Sequence, residues 1–138
     1  MQIDDYTDAL ALWLGAEGVQ LRSADSLEGI ARYLERNPGL SFVAESDGKV
    51  VGTIMAGHDG RRGYIQHLAI QVEFRKAGVG SELLRRCLVA LKQAGISKSH
   101  VHVLSDNNIA REFWLARGWQ MREDIAMFSF VNDGDDNA

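Results

Sequence analysis

Cysteine and proline are almost absent from this chain: Cys87 is its only thiol and Pro38 its only proline. A single cysteine excludes an intramolecular disulfide framework and fits a reducing compartment. Set in an apolar helical stripe, Cys87 is expected to be a buried thiol and not a nucleophile. No apolar run approaches the roughly 18–20 residues needed to span a bilayer. The opening Met1-Gln2-Ile3-Asp4-Asp5 is acidic and lacks the basic-then-apolar order of a secretory leader. Positive charge is not in excess either, since 15 Lys and Arg face 19 Asp and Glu for a net charge of −4. A basic face that neutralises nucleic-acid phosphates is therefore not expected. From these absences a cytoplasmic protein with neither a membrane nor a nucleic-acid partner is expected, and the mild acidity is compatible with a cationic partner such as an amine.

What is present is an ordinary globular balance, 46% hydrophobic and 25% charged over 138 residues. That length suits one domain and a sizeable core. There is no internal repeat, linker or low-complexity block. The segment Asn132-Asp133-Gly134-Asp135-Asp136-Asn137-Ala138 is too polar to pack, so a domain over 1–131 and a disordered acidic tail over 132–138 are expected.

Leu10, Trp13 and Leu14 form a first helical stripe, and Leu27, Ile30, Ala31 and Leu34 a second. Asp25 with Glu28 three residues on resembles a capping box, and Asn37-Pro38-Gly39 ends that helix. Leu40 to Ala44 and Val50 to Met55 flank Asp47-Gly48 as a hairpin. A third strand spans Tyr64 to Val72. Val79, Leu83, Leu84, Cys87, Leu88 and Leu91 make the strongest helix, with Arg85, Arg86, Lys92 and Gln93 on its wet face. A strand over His100 to Leu104, a helix from about Asn107 to Arg117 closed by Gly118, and short strands near Trp119 to Met121 and Ile125 to Val131 complete the order. The fold class is α/β, a three-layer sandwich on a mixed, mostly antiparallel sheet.

The junction Arg75-Lys76-Ala77-Gly78-Val79-Gly80-Ser81 lies between a buried strand and the strongest helix. Such a loop aims unpaired backbone N–H groups at one spot, where the helix dipole adds positive charge. That arrangement suits phosphate, and an ordinary glycine turn is the plain alternative. Two known phosphate loops are excluded. The dinucleotide fingerprint needs glycine where Leu83 stands, and a Walker A loop needs lysine between Gly80 and Ser81.

Leu68 to Gly80 resembles the acetyl-CoA motif of the GNAT (Gcn5-related N-acetyltransferase) superfamily, an apolar strand triplet followed by Arg/Gln-x-x-Gly-x-Gly/Ala opening a helix. Val103 to Ala110, with Phe113-Trp114 and Gly118-Trp119, resembles that family's later strand, its Asn-x-x-Ala helix and its Gly-aromatic end. The resemblance spans about residues 40–131. It implies central strands that splay apart, with the backbone of Leu68, Ala69 and Ile70 pairing with the pantetheine arm of acetyl-CoA. Arg75, Lys76, Ala77, Gly78, Val79, Gly80 and Ser81 would hold the pyrophosphate. Asn107 would contact the cofactor arm, cap its helix, or both. The implied activity is transfer of an acetyl group to a small-molecule or protein amine by direct attack, and family analogy allows a homodimer. A non-catalytic coenzyme A binding or sensing module is the alternative.

An amine such as lysine, with a free pKa of about 10.4, needs a proton acceptor before it attacks a thioester. The family often places glutamate where this chain has Tyr64, or where it has His102. An ordinary imidazole, with a pKa of about 6.5, is mostly neutral at pH 7, so His102 is the catalytic candidate; a strand histidine tied to a polar neighbour is the alternative. The family's general-acid tyrosine is replaced by Trp114, whose indole N–H is no acid. His100 and His102 share a strand face, but no clustered carboxylates or cysteines assist them, so no metal is expected. Trp13, Trp114 and Trp119 are core candidates.

Overall fold

A computed structural model describes all of residues 1–138. The chain divides into two compact units, Met1–His102 and Val103–Ala138. The first contains α1 (Tyr6–Leu14), α2 (Leu27–Arg36), β1 (Phe42–Ser46), β2 (Lys49–His58), β3 (Gly63–Ile70), α3 (Val79–Gln93) and β4 (Ser99–Val101). The sheet order is β1-β2-β3-β4, with antiparallel pairs from β1 to β3 and a parallel pair between β3 and β4. This is the mixed, mostly antiparallel α/β architecture that the sequence implies. No helix is long and apolar enough to cross a membrane.

β2 explains the layering. Val51 to Gly57 are all buried, as expected for a strand covered on both faces. Alternation sends Thr53 and Met55 to one face and Gly52, Ile54 and Ala56 to the other. Met55 joins Ala9 and Trp13 of α1, Ile30 of α2 and Ala69 of β3 in one apolar cluster. On the opposite face a Cβ on Gly52 would touch the side chain of Leu83 in α3 at 3.3 Å. α1 and α2 thus cover one face and α3 the other. The hairpin between β1 and β2 turns at Asp47 and Gly48, both at positive φ, which matches the right-handed twist of the strands.

The β2–β3 ladder is interrupted. Thr53 pairs with Ala69 and Met55 with Gln66, so Ile54 stands opposite both His67 and Leu68. This β-bulge puts His67 at φ +49, in the left-handed region. Side chains hold it there. The Trp13 indole N–H donates to Thr53 Oγ1 at 2.9 Å, and the Thr53 hydroxyl donates to the His67 carbonyl at 2.8 Å. The β3–β4 ladder pairs only Gly63 to Ile65 with Ser99 to Val101. Beyond that point Gln66 to Ile70 run on without a β4 partner, the parting of the central strands.

The second unit contains α4 (Asn108–Ala116). Asn107 caps it, Oδ1 accepting the Ala110 N–H at 3.0 Å, and Gly118 ends it. Trp114 is buried, with Phe113 and Trp119 edge-on at centroid distances of 5.2 and 4.7 Å.

Several expectations need correction. β4 stops at Val101 instead of reaching Leu104, because Ile65 is the last β3 residue that pairs with it. β3 ends at Ile70, and Val72–Phe74 form a 3-10 turn. The α2 cap is Ser26, whose Oγ accepts the Gly29 N–H at 3.1 Å, because the Asp25 carboxylate bonds the Arg22 N–H and His67. Trp119 to Met121 and Ile125 to Val131 form no strand. Ile125, Met127, Phe128 and Phe130 are exposed, and an apolar run without a hydrogen-bonding partner is not a strand whatever its β propensity.

α2 passes so close to the preceding turn that a Cβ on Gly29 would strike the Ala24 carbonyl oxygen. Gly29→Ala is expected to lower stability by about 1–3 kcal/mol, since backbone cannot yield as a side chain does. A urea unfolding midpoint equal to wild type would refute this packing.

Candidate functional site

Two features of the first unit meet at the end of β3. One is the α3 N-terminus. Gly78 takes φ +83 as its cap, a conformation that glycine alone adopts without strain. The first intrahelical bond runs from the Glu82 N–H to the Gly78 carbonyl at 3.0 Å. The N–H groups of Val79 and Gly80 therefore have no carbonyl one turn back, and the helix dipole points its positive end with them. Arg75, Lys76, Ala77 and Gly78 are exposed around this turn, Lys76 at φ +62, and Ser81 lies in the first helical turn. Glu82 brings a negative charge there, but Arg85 at 2.7 Å and Arg86 at 3.0 Å match it. Their hydrogen bonds hold its carboxyl down at about 2.

The second feature is the unpaired edge of β3. The Gln71 N–H donates to the Val51 carbonyl at 2.8 Å. In an antiparallel ladder the backbone groups of alternate residues face the partner, so Ala69 and Gln71 address β2 while Leu68 and Ile70 address the open edge. Of the three residues expected to meet the pantetheine arm, Ala69 thus turns its backbone inward. The Ile70 carbonyl is occupied by Arg75 Nε at 3.0 Å. That bond folds the loop back onto the strand and brings the guanidinium beside the edge. An amide-bearing arm along Leu68 and Ile70 and an anion at Val79 and Gly80 are what these two features can bind. A groove of about 460 Å³ borders the loop on the α1 side, reaching from Asp8 and Leu12 to Ile70 and Arg75.

The other expected residues fare differently. His102 lies one residue past β4, exposed and with no hydrogen-bond partner. His100 stacks on Tyr64 at 5.9 Å. No group of three or more His, Cys, Asp or Glu side chains is placed to hold a metal. Asn107, in the second unit, uses its carbonyl oxygen as a helix cap, and Trp114 serves the aromatic packing of that unit.

The chain matches the acetyltransferase (GNAT) family over residues 7–119. It belongs to that family. An acetyltransferase of Pectobacterium atrosepticum is 32% identical over 105 residues, which cover 76% of this chain and 74% of the relative. Ard1 from Thermoplasma volcanium superposes with a TM-score of 0.78 at 20% identity, over 88% of this chain and 80% of that one. AAC(6′)-Iy, in complex with the bisubstrate analogue CoA-S-monomethyl-acetylneamine, superposes with a TM-score of 0.74 at 18% identity, over 96% and 95% of the two chains. At those identities the two structures speak for the fold.

This GNAT chain also carries a polar contact that sequence reasoning missed. His67, Asp25 and Thr53 form a connected polar set inside the first unit. His67 and Asp25 are 42 positions apart, and no local motif announces their contact. The one available signal is a histidine immediately before the apolar triplet. Cys87 behaves as expected: it is fully buried, its thiol donates to the Leu40 carbonyl at 3.0 Å, and burial pushes it up to about 12. Since only a thiolate attacks, Cys87 should resist iodoacetamide between about pH 7 and 9 and react once the chain is unfolded in denaturant. Rapid labelling of the folded protein would contradict this and reopen a covalent acyl-cysteine route.

Proposed function

We propose that this protein is an acetyl-CoA-dependent N-acetyltransferase. The observation that carries the reading is the pairing of an unladdered β3 edge with the α3 N-terminus, because acetyl-CoA is long enough to use both. The pantetheine arm hydrogen-bonds along Leu68 and Ile70, and the pyrophosphate sits on the N–H groups of Val79 and Gly80, with Arg75, Lys76, Ala77, Gly78 and Ser81 forming the rest of the cradle. Asn107, in the second unit, is the further cofactor-arm candidate read from the sequence. The functional domain is residues 1–131, with 132–138 outside it. The acceptor is a primary amine that attacks the thioester directly in a ternary complex. A fold relative that binds coenzyme A and an amino sugar as one bisubstrate molecule supports that order of events. The edge N–H groups polarise the thioester carbonyl as charge develops on it. No metal enters the scheme. The amine's proton needs an acceptor, for which His102 is the candidate read from the sequence.

A coenzyme A binding module without catalysis would use the same cradle. It draws support from Trp114, which stands where the family's acid tyrosine is expected and is enclosed by Phe113 and Trp119. Product formation with an amine separates the two.

Calorimetry with acetyl-CoA tests the cradle. The wild type is expected to bind at micromolar concentration, and a folded Gly80→Asp variant to lose binding, since its carboxylate enters the anion site at the positive helix end. No binding by the wild type would overturn the proposed function.

A further inference from the structure

The β3 bulge carries a polar pair that donor binding through Leu68, Ile70 and the α3 N-terminus does not use. Nε2 of His67 lies 2.6 Å from Oδ1 of Asp25, and the two side chains are only 14% and 13% exposed. Neighbouring elements fix both partners. Oδ2 of Asp25 accepts the Arg22 N–H at 2.8 Å, and the Asp25 carbonyl accepts the Tyr6 hydroxyl of α1 at 2.8 Å. The imidazole packs against the Trp13 indole at 4.7 Å, and Thr53 of β2 holds the His67 carbonyl.

A carboxylate oxygen at that distance requires a ring proton on Nε2, so in the neutral imidazole Nδ1 is the nitrogen that carries the lone pair. Nδ1 has no partner, yet it is not sealed off. The one enclosed side-chain polar atom without a hydrogen bond is the Tyr33 hydroxyl. An imidazole oriented by a carboxylate, with its second nitrogen open, is the arrangement that general-base catalysis requires.

A salt bridge alone does not account for the backbone. A left-handed non-glycine residue costs about 1–2 kcal/mol, and a bulge re-aims a side chain at the expense of a ladder bond. Here the strain falls on the residue directly before Leu68, just past Ile65, where β3 leaves β4. Strained backbone that its surroundings over-determine is a mark of a working site.

We propose that Nδ1 of His67 accepts the proton of the attacking amine, with Asp25 as the positioning residue that fixes the tautomer. This rests on the acetyl-transfer reading and moves the proton step from His102 to His67. The amine nitrogen bonds to the thioester carbon and its proton passes to Nδ1. The carbon–sulfur bond then breaks, leaving the amide and the coenzyme A thiolate, and the imidazolium returns its proton to solvent.

The test follows coenzyme A release from acetyl-CoA with n-butylamine, spermidine and neamine between about pH 6 and 9. It compares wild type, His67→Gln, Asp25→Asn and His102→Ala, with acetyl-CoA affinity and the urea midpoint measured on each. His67→Gln is expected to lose about 100-fold or more in turnover, together with the low-pH limb of the rate profile, while binding acetyl-CoA normally. Asp25→Asn donates an amide N–H to Nε2 and so moves the ring proton to Nδ1; a comparable loss is expected, and this near-isosteric change decides the matter if His67→Gln does not fold. Both dyad variants are expected to lose far more turnover than His102→Ala. Wild-type turnover in both dyad variants would overturn the proposal, as would a loss that leaves the pH profile unchanged or that follows His102→Ala instead. Absent turnover in a wild type that binds acetyl-CoA would also overturn it, and absent binding would remove the acetyl-transfer reading itself.

Discussion

The hydrogen-bond chain from the Trp13 indole through the Thr53 hydroxyl to the His67 carbonyl ties α1 to the two central antiparallel strands. Each link is buried or nearly so, and a polar group left unpaired there would cost about 1–3 kcal/mol, so the chain holds together or fails as a whole. It also stabilises a bulge that an ordinary ladder would not tolerate. The bulge turns the His67 ring toward Asp25, and it lies in the part of β3 that runs on past its last β4 pair at Ile65. The proposed proton-accepting pair and the open strand edge are thus neighbours on one strand.

The proposed donor site depends on a second constraint, the departure from β3 into α3. The Gln71 N–H stays with Val51 while Arg75 reaches back to the Ile70 carbonyl, so the chain turns tightly through Val72–Phe74 before Gly78 starts the helix. Only a residue free to take φ +83 starts α3 at that angle. Leu83, Leu84, Cys87 and Leu91 then bury the helix against the sheet, which fixes the direction of its positive end. Packing of the helix and presentation of its N–H groups are thus one event.

Much of this was legible in the sequence, for identifiable reasons. α2, α3 and the Asp47-Gly48 hairpin carry strong local signals, and the Gly78-x-Gly80 junction lies between β3 and α3 as its sequence suggests. Gly118 announced the end of α4, and Asn107 its start. What escaped depends on distant contacts. Asp25 looked like a helix cap because a cap is a local role, and its engagement with His67 appears only once α1, α2 and β3 pack. The bulge has no sequence signature in Gln66-His67-Leu68, since nothing there is glycine. Ile125 to Val131 has strand-like composition, but strands need partners, and composition does not supply one.

In the proposed function the β3 edge and the α3 N-terminus bind one acyl-CoA molecule together. Amide hydrogen exchange with and without acetyl-CoA reads both at once. Slowed exchange is expected at Leu68 and Ile70 together with Val79 and Gly80, with little change in the β1–β2 hairpin. Protection at the helix end alone, or at neither place, would contradict it.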